Sequence, residues 1–103
     1  MYSVRTGIIL SLIYLLKKYK QAETYFKQSQ KLAFEGNYIY LIRDNYFYLA
    51  DLYGFIGDLN SQVFYLKKYI NQKDSIEAID KEMKLAELQT QYETEKKEKE
   101  IEL

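Results

Sequence analysis

A chain of 103 residues supports one domain with a modest core, and 48% apolar with 17% aromatic residues is too rich for disorder. The net charge is zero and the Lys and Arg residues are scattered, so no basic stripe points to a nucleic-acid partner. The absence of Cys and His excludes disulfides, thiol chemistry, His- or Cys-ligated metals and the commonest general base, and no cofactor is implied.

Pro is absent and Gly is limited to 4, which favours helices over a turn-rich β fold. The first predicted helix covers residues 3–16. Its run Gly7-Ile-Ile-Leu-Ser-Leu-Ile-Tyr-Leu-Leu16, preceded by Arg5, imitates a secretion signal, but Lys17-Lys18-Tyr19-Lys20 follows with no small-residue cleavage site. The run is also too short to span a bilayer, so it reads as a buried amphipathic helix. A second helix covers 19–34, ended by Gly36-Asn37 as a C-cap signal. A third runs over 38–55, with Gly57-Asp58 as the next turn, and a fourth over 59–71. Asp74 then reads as an N-cap, with Glu77 three residues on as its capping-box partner. Short turns between helices of this length imply antiparallel neighbours, so the unit is the αα-hairpin, present twice.

From Asp74 the chain runs to Leu103 with no Gly, no Pro and no break in helix formers. Its apolar content fades from Ile76, Ile79, Met83, Leu85 and Leu88 to Tyr92, and residues 93–100 are charged except for one Thr. Such a helix has nothing to bury at its far end, so it reads as a rod leaving a domain. Charge follows the same division. Residues 1–74 hold 10 Lys/Arg against 6 Asp/Glu (+4), and residues 75–103 hold 5 against 9 (−4). The fold expected is therefore all-α, with two helical hairpins over 1–73 and a long C-terminal helix over 74–103. Apolar residues return at Ile101 and Leu103, which suggests a piece of something longer.

The two hairpins align. Tyr19-x-x-Ala22-x-x-x-Phe26-x-x-Ser29 in the first, and Leu49-Ala50-x-x-Tyr53-x-x-x-Gly57-x-Leu59 in the second, place small residues and aromatics on one helical face. This spacing resembles the tetratricopeptide repeat, in which small residues permit close helix crossing and aromatics fill the gaps between hairpins. In the first copy Ile9, Leu10 and Ile13 stand at the leading positions. In the second, Gln62 replaces the Ala, and Leu66 and Tyr69 replace the aromatic and the second small residue. The resemblance implies an α-solenoid of antiparallel hairpins. A hairpin ending in Tyr65-Leu-Lys-Lys-Tyr69, then Lys73-Asp-Ser-Ile76 and the charged helix from Lys84 to Leu103, resembles a more specific junction. It is similar to the end of tetratricopeptide sensor regions in Bacteroidetes-type two-component sensor histidine kinases and related regulators.

In that family the charged helix leads to a membrane span and an output module. The resemblance thus implies a non-catalytic interaction and signal-relay segment, with membrane attachment only through downstream sequence. It implies residence on the extracytoplasmic (periplasmic) side of the inner membrane, a cytoplasmic site being the alternative. A free-standing peptide-binding adaptor of the same fold is the second function expected. By the alignment, the ligand groove for a protein or peptide would be lined by Val4, Ser11, Tyr14 and Leu15, then Asp44, Phe47, Tyr48, Asp51 and Phe55. The competing reading makes Phe47 and Tyr48 core, with Asp44 and Asp51 merely solvated. Asp44 and Asp51 have no accompanying Gly-rich loop or nucleophile, so catalysis is not expected. The tail offers two heptad-like seams, Ile76-Ile79-Met83-Ala86 and Leu85-Leu88-Tyr92. The first is expected to dock on the repeats. The second is expected to pair in a homodimer or relay, with Glu93–Lys97 and Glu95–Lys99 supporting the helix beyond.

Overall fold

The computed structural model describes residues 2–102, with side chains described from 8 to 101. The described residues form three helices: α1 (Tyr2–Glu35), α2 (Ile39–Phe55) and α3 (Leu59–Glu102). By contacts the chain divides into two units, Met1–Gln72 and Lys73–Leu103.

The ends of α1 and α2 follow from one turn geometry used twice. At the first, Asn37 adopts a left-handed backbone (φ 53°). The amide of Tyr38 donates to the carbonyl of Ala33 (2.9 Å), and that of Asn37 to Phe34 (3.2 Å). At the second, Gly57 is left-handed (φ 81°). The amide of Asp58 donates to Tyr53 (2.9 Å), and that of Gly57 to Gly54 (3.3 Å). This pair of bonds is the Schellman arrangement, which satisfies carbonyls that a helix end leaves bare. Gly36 matters at the first turn, because a Cβ there would collide with the Tyr38 ring. Asp58 then caps α3, accepting from the Ser61 amide (3.2 Å) and the Ser61 hydroxyl (2.7 Å).

Each tight turn returns the chain antiparallel to itself. Ser29 bonds Asn45 eight residues to either side of Asn37, and Phe26 stacks on Tyr48 eleven to either side (5.4 Å). Tyr19 and Phe55, eighteen to either side, close the pairing (6.5 Å). Around Gly57, Tyr53 stacks on Tyr65 (5.4 Å), Phe47 meets Tyr69 (5.4 Å), and the Gln72 amide donates to the carbonyl of Ile39 (3.2 Å). Thus α2 lies between residues 19–35 of α1 and the first turns of α3. Its buried side chains are Ile42, Asn45, Leu49, Ala50, Leu52 and Tyr53, joined by Gln30 and Ala33 of α1.

Three expectations are corrected. No turn separates residues 3–16 from 19–34. Lys17 and Lys18 are good helix formers with no Gly or Pro between them, so the helix continues and the first expected hairpin is a single rod. The apolar run within it is exposed rather than buried, since Ile8, Ile9, Leu10, Leu12, Ile13, Tyr14, Leu15 and Leu16 all lie open. Finally, Asp74 is not an N-cap, because α3 passes through it without a break. Glu77 instead pairs with Lys73 one turn earlier (4.0 Å).

The second unit is the remainder of α3. Ile76 is buried, whereas Ile79, Met83, Leu85, Leu88 and Tyr92 are exposed. Further along, Lys84 pairs with Glu87 (3.5 Å), and among the described residues the expected Glu93–Lys97 and Glu95–Lys99 pairs are not formed.

These placements separate two substitutions of similar chemistry. Leu49, 1% exposed, should cost about 2–5 kcal/mol when changed to Ala. Ile13→Ala, measured at low micromolar concentration, should lie within about 0.5 kcal/mol of the parent. A large loss at Ile13 in urea denaturation would restore the hairpin.

Candidate functional site

The open face of α2 carries the residues singled out for a groove. Steps of ~100° per residue put Asp44, Phe47, Tyr48, Asp51 and Phe55 within a sector of about 100°. The buried residues Ile42, Asn45 and Leu49 fall on the other side. The structure therefore brings the five α2 candidates together. Ser11, Tyr14 and Leu15 stay apart, on the part of α1 that runs beyond Tyr19 and Phe55, with Lys18 over the Tyr14 ring (4.8 Å); the side chain of Val4 lies outside the described residues.

Within this face the roles differ from residue to residue. Phe47 and Tyr48 are not core, being 46% and 49% exposed. Each leans on a neighbour, Phe47 on Tyr69 of α3 and Tyr48 on Phe26 of α1, so together they form an aromatic floor across three helices. Asp44 is engaged by the adjacent Arg43, whose Nε donates to Oδ1 at 2.9 Å. That hydrogen bond holds the Arg43 guanidinium above its ordinary pKa, and the same guanidinium lies over the Tyr40 ring (5.3 Å). Asp51 is exposed and lines a small cleft of about 260 Å³ with Gly54, Phe55 and Gln62. The Gln62 amide rests against Gly54 where a Cβ would otherwise stand, so a larger residue there would displace it. The face could grip an aromatic or basic peptide, with Asp51 as the carboxylate not tied to Arg43.

A polar seam on the opposite side of α2 was not anticipated. The Gln30 amide donates to the carbonyl of Ile42 (3.1 Å), and the Asn45 amide to the Ser29 hydroxyl (3.0 Å). The Tyr53 hydroxyl donates to Glu23 (2.8 Å). Gln30 Oε1 is buried and has no partner. Gln30 also lines a cleft of about 360 Å³ with Lys27, Lys31, Tyr46, Phe64 and Lys68. The signal in the sequence was polar residues at positions where the helical stripe calls for apolar ones. Buried polar groups of this kind fix register, because leaving one unpaired costs more than the bond contributes.

The tail residues Leu85, Leu88 and Tyr92 are exposed on the second unit. Among the described residues no cluster of three acidic side chains could hold a metal ion. Comparison with protein-family models, with curated proteins and with solved structures finds no match to this chain.

Burial, aided by the hydrogen bond to Glu23, pushes the Tyr53 hydroxyl well above the ordinary tyrosine value. A folded-state pKa raised above the unfolded one contributes stability below about pH 10, and this is lost as pH rises beyond it. The thermal midpoint should therefore fall more steeply above pH 10 in the parent than in Tyr53→Phe, which has no hydroxyl to ionise. Parallel profiles for the two would show that Tyr53 is not buried against Glu23.

Proposed function

We propose that the chain is a non-catalytic interaction and signal-relay segment with tetratricopeptide-like helical packing, from a membrane-associated two-component sensor histidine kinase or related regulator. The observation that carries this reading is the unbroken course of α3. It begins as a packing helix against α2 and continues to Glu102, with exposed side chains throughout its last part except Ile76. The last thirty helical residues reach ~45 Å, enough to convey a movement from the helical unit to a membrane or output module. Leu85, Leu88 and Tyr92 form the seam that such a rod presents to another helix. The chain acts as a homodimer in this reading.

Among the described residues no helix is long and apolar enough to cross a membrane; in the proposed reading, attachment is the task of a downstream span. The repeats are placed on the extracytoplasmic side by family resemblance. A second reading, a peptide-binding adaptor, draws on the aromatic floor of Phe47 and Tyr48 beside Asp51 and Phe55. The two differ in what the tail is for.

Deleting one residue between Glu93 and Glu100 in the intact gene rotates everything downstream by ~100° about the helix axis, without touching the packed unit. Output should lock or vanish while the helical unit stays folded by circular dichroism. Normal output after the deletion makes the helix a tether and sinks the relay.

A further inference from the structure

The cleft beside the polar seam carries charge opposite in sign to that of the groove face. It opens between α1 and α3, over Tyr46 and Leu49 of α2, about 150° around that helix from the middle of the groove sector. Its volume is about 360 Å³, at the small end of what ligand sites enclose. Lys27 and Lys31 border it from α1 and Lys68 from α3, and among the described residues no carboxylate lines it. Lys27 makes a loose pair with Glu23 (3.8 Å), and Lys68 lies over the Phe64 ring (5.6 Å). Neither Lys31 nor Lys68 has an ion pair among the described residues. The floor is formed by Leu49 and by Gln30, which is 7% exposed. Nε2 of Gln30 donates to the carbonyl of Ile42, which fixes the orientation of the amide, and Oε1 is left buried without a partner.

We propose that this cleft binds an acidic peptide segment, with a carboxylate side chain set among Lys27, Lys31 and Lys68 and a backbone N–H donating to Gln30 Oε1. Two requirements select the partner. Three ammonium groups with no carboxylate in the cleft call for an anion, and partial enclosure by Tyr46 and Phe64 strengthens that attraction by lowering the local dielectric. The acceptor at the floor calls for a donor, because a buried carbonyl without one carries the full cost of its lost hydration. Fully ionised phosphate or a free carboxylate brings charge but nothing to donate. A peptide brings both, its N–H and its side-chain carboxylate separated by a few bonds. Nucleic acid is disfavoured, because three lysines around one small cleft form no stripe along a phosphate backbone. The site is separate from the groove face and from the relay, so it stands or falls without them.

Fluorescence anisotropy of a labelled hexaglutamate amide, titrated with the whole chain, tests the site. Binding should be saturable, and Lys31→Glu and Lys68→Glu should each weaken it at least ~tenfold, since either places a carboxylate where the ligand's must sit. Both lysines are exposed, so helix content by circular dichroism should be unchanged. Lys96→Glu, the same charge change on the second unit, should leave the affinity within ~twofold. An oligoacrylate of six carboxylates has the charge without the N–H groups, and it should compete at least ~tenfold less well than unlabelled hexaglutamate. Equal competition by the oligoacrylate, or by tripolyphosphate, makes the cleft a general anion site and overturns the peptide assignment. Equal weakening by Lys96→Glu and Lys68→Glu reduces the binding to net charge and overturns the site. Absence of binding at ~1 mM chain overturns it as well.

Discussion

The left-handed residue at the end of each of the first two helices is the constraint on which the rest of the molecule depends. A helix of L-residues continues until something makes the next turn cost more than stopping, and a left-handed residue is that something. Here the positions are Asn37 and Gly57, and each closes with the same pair of backbone hydrogen bonds. Between them they set the length of α2 at 17 residues. They also set its antiparallel direction against both neighbours and the register that brings Ser29 to Asn45 and Tyr53 to Tyr65. Where no such residue stands, the chain keeps turning, which is why α1 and α3 both overrun the helix they pack against.

Once α2 is held between two antiparallel neighbours, its side chains divide by angle. One face buries Leu49, Ala50 and Tyr53 and accepts the polar seam of Gln30, Asn45 and Glu23. The other keeps Phe47 and Tyr48 half-open, each supported from a different flank. Aromatic rings that rest on neighbours without being enclosed combine a fixed position with an accessible edge. The candidate groove is therefore a by-product of the packing and needs no loop to form it.

The all-helical character and both helix-ending turns were legible, because Gly36-Asn37 and Gly57-Asp58 are local chemistry with a local consequence. The faces of α2 were partly legible, since a period of 3.6 groups Asp44, Asp51 and Phe55 without knowledge of neighbours. The assignment of Phe47 and Tyr48 to core failed because their burial depends on how far α1 and α3 wrap around α2, which no periodicity encodes. The break expected at Lys17-Lys18 came from reading two periodic segments rather than from a terminating residue. A change in apolar pattern cannot stop a helix when both residues at the proposed break favour continuing it. The same holds at Asp74, where the side chains of Lys73 and Glu77 stabilise the helix that a cap would have begun.

The two overruns are chemically opposite, and that contrast orders their roles. Beyond Glu93 the exposed residues of α3 are almost all charged, so water satisfies them and the rod is stable in solvent with no further contact. Before Tyr19 the exposed residues of α1 are almost all apolar, so water penalises every turn of that rod until something covers it. A helix of this kind draws its stability from packing of an apolar face more than from propensity. The isolated N-terminal stretch is therefore the part of the molecule with most to gain from association, and the C-terminal stretch the part with least.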